Sequence, residues 1–131
     1  MNTELRYLAL TSVLTGLLWV PYILNEVLVR GLVDAVGYPE NAKPLAKWAQ
    51  RLKAAHYNAV ENLVVFASLV LVAQAAGIHT AAIATAAGVY FWARVVHAAA
   101  YTFAVPWVRT AAWAVGAAMY LWIGWEILCA S

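Results

Sequence analysis

The sequence predicts an all-α integral membrane protein folded as a four-helix bundle. Hydrophobic residues make up 66% of the 131 residues and charged residues only 11%, whereas a soluble domain carries about 25% charged residues. Long apolar runs recur along the chain, and about 20 helical residues cross a hydrocarbon core of about 30 Å. One domain covering residues 1–131 and embedded in the lipid bilayer is therefore expected. The net charge of +2 is small and dispersed, which argues against a nucleic-acid partner.

The first predicted helix covers residues 5–30, and its apolar centre is long enough to cross a bilayer. Pro21 lies inside this helix, where a missing N–H can produce a kink. Glu26 and Arg30 are four residues apart near its end, so their side chains can pair on one helix face. The first span therefore ends in a polar, solvated turn.

Residues 31–46 are predicted to form the largest loop, because residues that break helices and make turns cluster there: Gly31, Gly37, Pro39, Asn41 and Pro44. The second helix is predicted over residues 47–76. It is longer than a membrane crossing, so its first turns are expected to stand in water or in the headgroup layer. Basic side chains at Lys47, Arg51 and Lys53 suit that position.

Residues 77–80 read as a tight turn between the second helix and a third helix over residues 81–104. The third helix is rich in alanine and glycine, which permits close helix packing. Pro106 marks the next turn, and a fourth helix is predicted over residues 108–128. Gly116 and Gly124 lie on one side of that helix and form a candidate packing face.

Four spans would place both termini on one side of the membrane and the connections 31–46 and 105–109 on the other. The side with the two connections carries most of the basic residues, namely Arg30, Lys43, Lys47, Arg51, Lys53 and Arg109, whereas the terminal side has Arg6. The positive-inside rule then places both connections in the cytoplasm. We therefore expect a multi-pass protein, in the plasma (inner) membrane if the source is bacterial.

Two polar stripes interrupt the apolar helices. The first lies on the second helix and comprises Arg51, Asn58, Glu61 and Asn62, with His56 rotated away from it. The second lies on the third helix and comprises Arg94, His97 and Tyr101, at spacings that share one helix face. An ionisable side chain at membrane depth costs about 2.5–3.5 kcal/mol on insertion scales. Each ionisable side chain in the stripes is therefore expected to have a polar partner or a function.

Residue counting predicts that the two stripes meet in one polar pocket. Glu61 lies 17 residues before Ile78 in the turn, and Arg94 lies 16 residues after it, so both reach nearly the same depth. An alternative stays open, in which a buried Glu61–Arg94 pair only sets the helix register and His97 and Tyr101 are satisfied core groups. His56 is interpreted as a structural or interfacial histidine. No metal site is predicted.

The stripes resemble the motifs of the MAPEG family, the membrane-associated proteins in eicosanoid and glutathione metabolism. The first motif reads Arg51-x4-His56-x-Asn58-x2-Glu61-Asn62-Leu63, and the second reads Arg94-x2-His97-x3-Tyr101, followed by Arg109-Thr110. The resemblance extends over nearly the whole chain. It implies a homotrimer of four-helix subunits that binds glutathione between neighbouring subunits, with lipophilic small-molecule substrates approaching from the bilayer.

The resemblance also implies roles for individual residues. It assigns Asn58 and Glu61 to the main-chain and amino groups of glutathione, with Arg94 ordering Glu61. The other implied glutathione-binding residues are Arg30, Arg51, His97 and Tyr101. Arg109 and Thr110 are the implied catalytic pair, close to the sulfur. The implied activity is a glutathione-dependent transferase or peroxidase acting on lipophilic electrophiles or hydroperoxides.

Two other functions stay open at this stage. Ala54 and Tyr57 stand where family members carry basic residues, which favours a non-catalytic member that binds a lipid or a small anion. A small multidrug-type exporter would use a lone membrane carboxylate to couple protons to transport, and Glu61 is the candidate. The matched depth of Glu61 and Arg94 argues against the exporter.

Overall fold

The computed structural model describes residues 1–130, which fold into helices joined by short connections. Six helices are formed: α1 Thr3–Leu17, α2 Trp19–Arg30, α3 Leu32–Val36, α4 Lys47–Ala76, α5 Ala81–Thr102 and α6 Pro106–Ala130. Helices α1 and α2 together take the place of the first predicted helix. Helix α3 is a short helix within the segment that was predicted to be a loop.

The first helix is interrupted at Leu18, one turn before Pro21. Proline has no N–H, so the carbonyl of Leu17 loses the partner that it would have in a continuous helix. The N–H of Leu18 instead bonds the carbonyl of Thr15, at 3.4 Å, in the tighter i to i−3 pattern. The hydrogen-bonding pattern of the helix is thus interrupted one turn before Pro21, and the interruption has a local cause.

The connection from α2 to α4 folds back onto the helices that it joins. Arg30 pairs with Glu26, as its spacing predicts, and its Nε also donates to the carbonyl of Lys43 at 2.7 Å. The side chain of Asn25 accepts a bond from the N–H of Ala46 at 3.0 Å. These bonds tie the start of α4 to the end of α2.

The turn between α4 and α5 has defined caps at both ends. Gly77 is left-handed, with φ of 69°, and its N–H bonds the last turn of α4, a conformation that glycine adopts without steric cost. The Thr80 side chain accepts a bond from the N–H of Ile83 at 3.1 Å and caps α5. The turn predicted over residues 77–80 is confirmed.

Helix α5 packs against α1, α4 and α6 and forms the centre of the bundle. The rings of Phe66 and Tyr90 stack there, with 4.0 Å between their centroids. Gly116 faces Tyr90 and Arg94, and Gly124 faces Leu69. Both glycines therefore point inward, as expected for a packing face.

Within the described part of the chain, three stretches are long and apolar enough to cross a membrane: 3–30, 47–76 and 106–130. Helix α5 is not among them, because polar residues such as Arg94 and His97 interrupt its apolar sequence. Both side chains are buried inside the bundle. The outer surface carries exposed leucine, valine and tryptophan side chains, as expected for helices that face lipid. A fourth crossing by α5 stays a prediction.

Candidate functional site

A polar cavity of about 320 Å³ lies between α4, α5 and α6. It is lined by Asn58, His97, Tyr101, Arg109, Thr110 and Trp113. All except Trp113 were singled out from the sequence. Among the residues that the structure describes, no acidic side chain lines the cavity, so its electrostatic character is set by one guanidinium group and by neutral hydrogen-bonding groups.

The short connection after α5 brings Arg109 back over Tyr101. Ala104 in this connection has a positive φ of 59°, which turns the chain sharply into α6. The Arg109 guanidinium carbon lies 4.8 Å from the centroid of the Tyr101 ring, within the range of a cation–π contact. The His97 and Tyr101 rings meet edge to face at 5.6 Å. One wall of the cavity is therefore a stack of an imidazole, a phenol and a guanidinium.

Helix α6 presents its first turns to the cavity. Pro106 opens the helix, where a proline suits the first turn. Arg109 and Thr110 follow directly, and Trp113 lies one turn beyond Arg109 on the same face. The positive end of the helix dipole adds to the charge of Arg109. This arrangement places positive charge next to a hydroxyl group at one side of the cavity.

Arg94 lies beneath the cavity and holds Asn58. Its side chain is buried, and its Nη2 donates to Asn58 Oδ1 at 2.7 Å. Asn62 Nδ2 also donates to Asn58 Oδ1, at 3.2 Å, and to the Asn58 carbonyl at 2.8 Å. Because two donors bond the Asn58 side-chain oxygen, the orientation of the Asn58 side-chain amide is fixed.

Three polar side-chain atoms near the contact between Arg94 and Asn58 are buried without a hydrogen-bond partner among residues 1–130, namely Tyr90 Oη, Arg94 Nε and His97 Nδ1. A buried polar atom that lacks a partner costs about 1–3 kcal/mol. Groups of this kind are rare in a region that serves packing alone. The contact between Arg94 and Asn58 is therefore flanked by polar atoms whose hydrogen-bonding capacity is not used within residues 1–130.

The predicted contact between Glu61 and Arg94 is wrong within one chain. Glu61 is exposed on α4 and forms no ion pair with any residue that the structure describes. Arg94 bonds Asn58 instead, one turn earlier on α4. Counting residues predicts depth along the helices, but it does not predict their rotation, and a long arginine side chain spans a helical turn. The alternative in which this pair sets the helix register is excluded within the chain for the same reason.

The family model of the MAPEG family matches residues 8–129. The chain belongs to the MAPEG family. No curated protein and no solved structure matches it. The MAPEG family includes glutathione-dependent transferases and peroxidases as well as non-catalytic members. Together with the apolar helices, family membership identifies the chain as an integral membrane protein.

Four of the predicted site residues of this MAPEG protein do not line the cavity, namely Arg30, Arg51, Glu61 and Arg94. Arg51 Nε donates to the carbonyl of Thr102 at 2.9 Å, where a cation suits the end of α5. Arg30 is held by Glu26 and by the Lys43 carbonyl. Neither Arg30 nor Arg51 lines the cavity of Arg109 within one chain.

His56 of the MAPEG motif has a structural contact. Its Nδ1 lies 2.7 Å from the hydroxyl of buried Tyr22 on α2, which ties α2 to α4. This supports its interpretation as a structural histidine. Trp113 was missed, although its spacing from Arg109 places it on the same face of α6. The rule that grouped Arg94, His97 and Tyr101 would have found it.

Proposed function

We propose that the protein is a membrane-bound glutathione-dependent transferase or peroxidase and that glutathione binds in the cavity of Arg109. The observation that carries the proposal is the pairing of Arg109 and Thr110 in one polar cavity at the start of α6. The cavity has the donors that carboxylates and a thiolate need, and its described lining residues include no acidic side chain that would repel them. The spare donor of Arg94 is consistent with an anionic or polar ligand.

In this proposal the protein positions charge rather than supplying a nucleophile. Glutathione would supply the nucleophile as a thiolate, which reacts where the thiol does not. The Arg109 guanidinium stabilises the anion over the neutral thiol, because the half-buried cavity screens the interaction less than bulk water does. The Thr110 hydroxyl donates a hydrogen bond to the same anion. Asn58, held by Arg94, offers its amide group to the peptide part of glutathione.

The resemblance further leads us to propose a homotrimer of four-span subunits in which Glu61 faces a neighbouring subunit. Glu61 is exposed and unpaired in the single chain, and a carboxylate left in lipid is costly. Contact with a neighbour would remove that cost. Arg30 and Arg51 would also lie at the boundary between subunits and bind glutathione there. The connection that contains α3 would face the cytoplasm, and both termini would lie on the opposite side of the membrane.

A second candidate is a non-catalytic family member in which the same cavity holds a lipid headgroup or a small anion. The observation that favours it is the loss of basic residues at Ala54 and Tyr57. The Tyr57 side chain is exposed, and Lys53 lies 6.0 Å from its ring centroid, so neither residue adds a charge to the cavity. The Glu61–Arg94 pair is not formed within the chain and no longer argues against an exporter. Membership of the MAPEG family argues against it instead.

An ultraviolet difference titration of the purified protein with glutathione tests the proposal, because a bound thiolate absorbs where the thiol does not. We expect a saturable thiolate signal that Arg109→Ala abolishes. Arg6→Ala is the matched control, since Arg6 is an exposed arginine on α1 outside the cavity, and it should keep the signal. An equal signal in Arg109→Ala would refute the assignment of Arg109.

The same samples separate the two candidates. A glutathione-dependent rise in Tm without a thiolate signal would support a binding protein that does not activate the thiol. A rise in Tm with a small anion, and none with glutathione, would favour the non-catalytic member. Chemical cross-linking followed by mass measurement tests the trimer, which predicts a product of three chains and is contradicted by a monomer.

A further inference from the structure

Polar side chains from three segments meet at the end of the bundle opposite the Arg109 cavity. The start of α1 contributes Asn2 and Glu4, α4 contributes Gln74, and the α4–α5 turn contributes His79. Asn2 Nδ2 donates to Gln74 Oε1 at 2.8 Å. The Glu4 side chain is only 4% exposed, and its one polar contact among residues 1–130 is His79 Nδ1, at 3.0 Å.

One nitrogen atom of His79 faces two groups of opposite character. His79 Nδ1 lies 3.0 Å from the Glu4 carboxylate, an acceptor, and 3.1 Å from the amide nitrogen of Asn2, a donor. A neutral imidazole nitrogen serves either as a donor or as an acceptor. If Nδ1 accepts from Asn2, the buried carboxylate of Glu4 loses its donor. In the protonated imidazole both nitrogens donate, and Nδ1 is committed to Glu4.

We propose that Glu4 and His79 form a proton-dependent latch that fastens the first turns of α1 to the turn between α4 and α5. Protonation of His79 closes the latch, because it converts a contact shared with Asn2 into a charge-assisted hydrogen bond to a buried carboxylate. Loss of the proton lets Asn2 compete for the same nitrogen. His79 is about half exposed, with 45% of its side chain accessible, so protons from solvent can reach it.

The latch holds one wall of the large apolar groove of the bundle. A groove of about 750 Å³ runs between α1, α5 and α6, and α1 contributes Thr3 and Tyr7 to it. These residues flank Glu4 in the first turns of α1. The Tyr7 ring lies against Gly88, where a Cβ would come within 3.0 Å of it. The state of the latch therefore determines how firmly this wall is held.

The other charged groups that the structure describes at this end, within residues 1–130, have separate partners or none. Glu126 of α6 accepts from Trp122 Nε1 at 3.2 Å and from Thr80 Oγ1 at 3.4 Å. Arg6 of α1 and the amino group of exposed Met1 form no ion pair with the described residues. The polar side chain at the end of helix α4 is Gln74, which is uncharged, and the first turn of α5 carries no charged residue. Glu4 is thus the carboxylate that distinguishes the two protonation states of His79.

Hydrogen exchange of the full chain in lipid nanodiscs tests the latch. Protection factors for the amides of residues 5–8, corrected for intrinsic exchange, are compared at about pH 5 and about pH 8, which bracket the range in which imidazoles titrate. We expect protection to be about tenfold higher at the acidic pH, as a hydrogen bond to a charged group would give. Equal protection at the two pH values would overturn the proposal.

Three variants separate the latch from general effects of pH. His79→Gln replaces an exposed side chain and should abolish the difference, whereas Glu126→Gln removes the other carboxylate at this end and should keep it. Asn2→Ser retains an oxygen that can cap α1 and removes the competing amide. It also removes the bond from Asn2 to Gln74, so the readout is the difference in protection between the two pH values, which should become smaller than in the wild type. A full pH difference in His79→Gln, or an undiminished pH difference in Asn2→Ser, would contradict the proposed competition.

Discussion

Replacing Asn58 by alanine is expected to destabilise the protein through Arg94. The Arg94 side chain is 3% exposed, its Nη2 donates to Asn58 at 2.7 Å, and its Nε already lacks a partner among the described residues. Loss of the Asn58 oxygen would leave a buried cation without its side-chain acceptor. A hydrogen bond to a charged group contributes about 1.5–3 kcal/mol, and breaking a buried charged contact costs up to about 3–5 kcal/mol.

We therefore expect a loss of about 2–3 kcal/mol in the free energy of unfolding, within the range for a hydrogen bond to a charged group. For a chain of this length, 1 kcal/mol corresponds to about 3–5 °C in Tm. Thermal unfolding of the detergent-solubilised protein, followed by circular dichroism, should thus show a Tm lower by about 6–15 °C.

Two matched variants distinguish this mechanism from a general effect of substitution. Asn58→Asp keeps an oxygen in reach of Arg94 and adds a compensating charge, so its Tm should stay close to that of the wild type. Asn62→Ala removes the second donor to Asn58 but leaves the Arg94 contact, so its loss should be below about 1.5 kcal/mol, as for a neutral hydrogen bond. A wild-type Tm in Asn58→Ala, or an equal loss in all three variants, would refute the reasoning.

Two further predictions concern single contacts, each measured as a shift in Tm. Gly77→Ala should cost about 1 kcal/mol in stability because Gly77 is left-handed, with φ of 69°. Gly16→Ala, in an open helical position, should be neutral or stabilising by up to about 1 kcal/mol. A Tm that falls more in Gly16→Ala than in Gly77→Ala would contradict the role of Gly77 as a helix cap. Tyr22→Phe removes the hydrogen bond to His56 and should cost about 1 kcal/mol in stability. Tyr38→Phe is the control, because Tyr38 is fully exposed. Equal Tm values for the two variants would argue against a stabilising bond between Tyr22 and His56.

Much of the candidate site follows from helix periodicity. His97 and Tyr101 are four residues apart on one helix, so a common face is dictated by 3.6 residues per turn. Arg109 and Thr110 come just after the turn that ends this helix, so they return to the same end of the bundle. Both facts are local, and the cavity brings the four residues together.

The partner of Arg94 could not be predicted in the same way. Sequence spacing places Glu61 and Arg94 at one depth, but depth is only one of the coordinates that decide a contact. Rotation of α4 about its own axis depends on how its small residues pack, and it directs Asn58 rather than Glu61 at Arg94. Glu61 is left on the outer surface of the single chain.

The sequence by itself determined the membrane class, the order of the long helices and the family motifs, because these depend on apolar length and on periodicity along one segment. Only the tertiary structure revealed the contact between Glu4 and His79, which are 75 residues apart in the chain. Nothing in the spacing of an isolated glutamate and a histidine in a turn indicates that they touch. Such contacts arise from the packing angles of whole helices, which many weak interactions determine together.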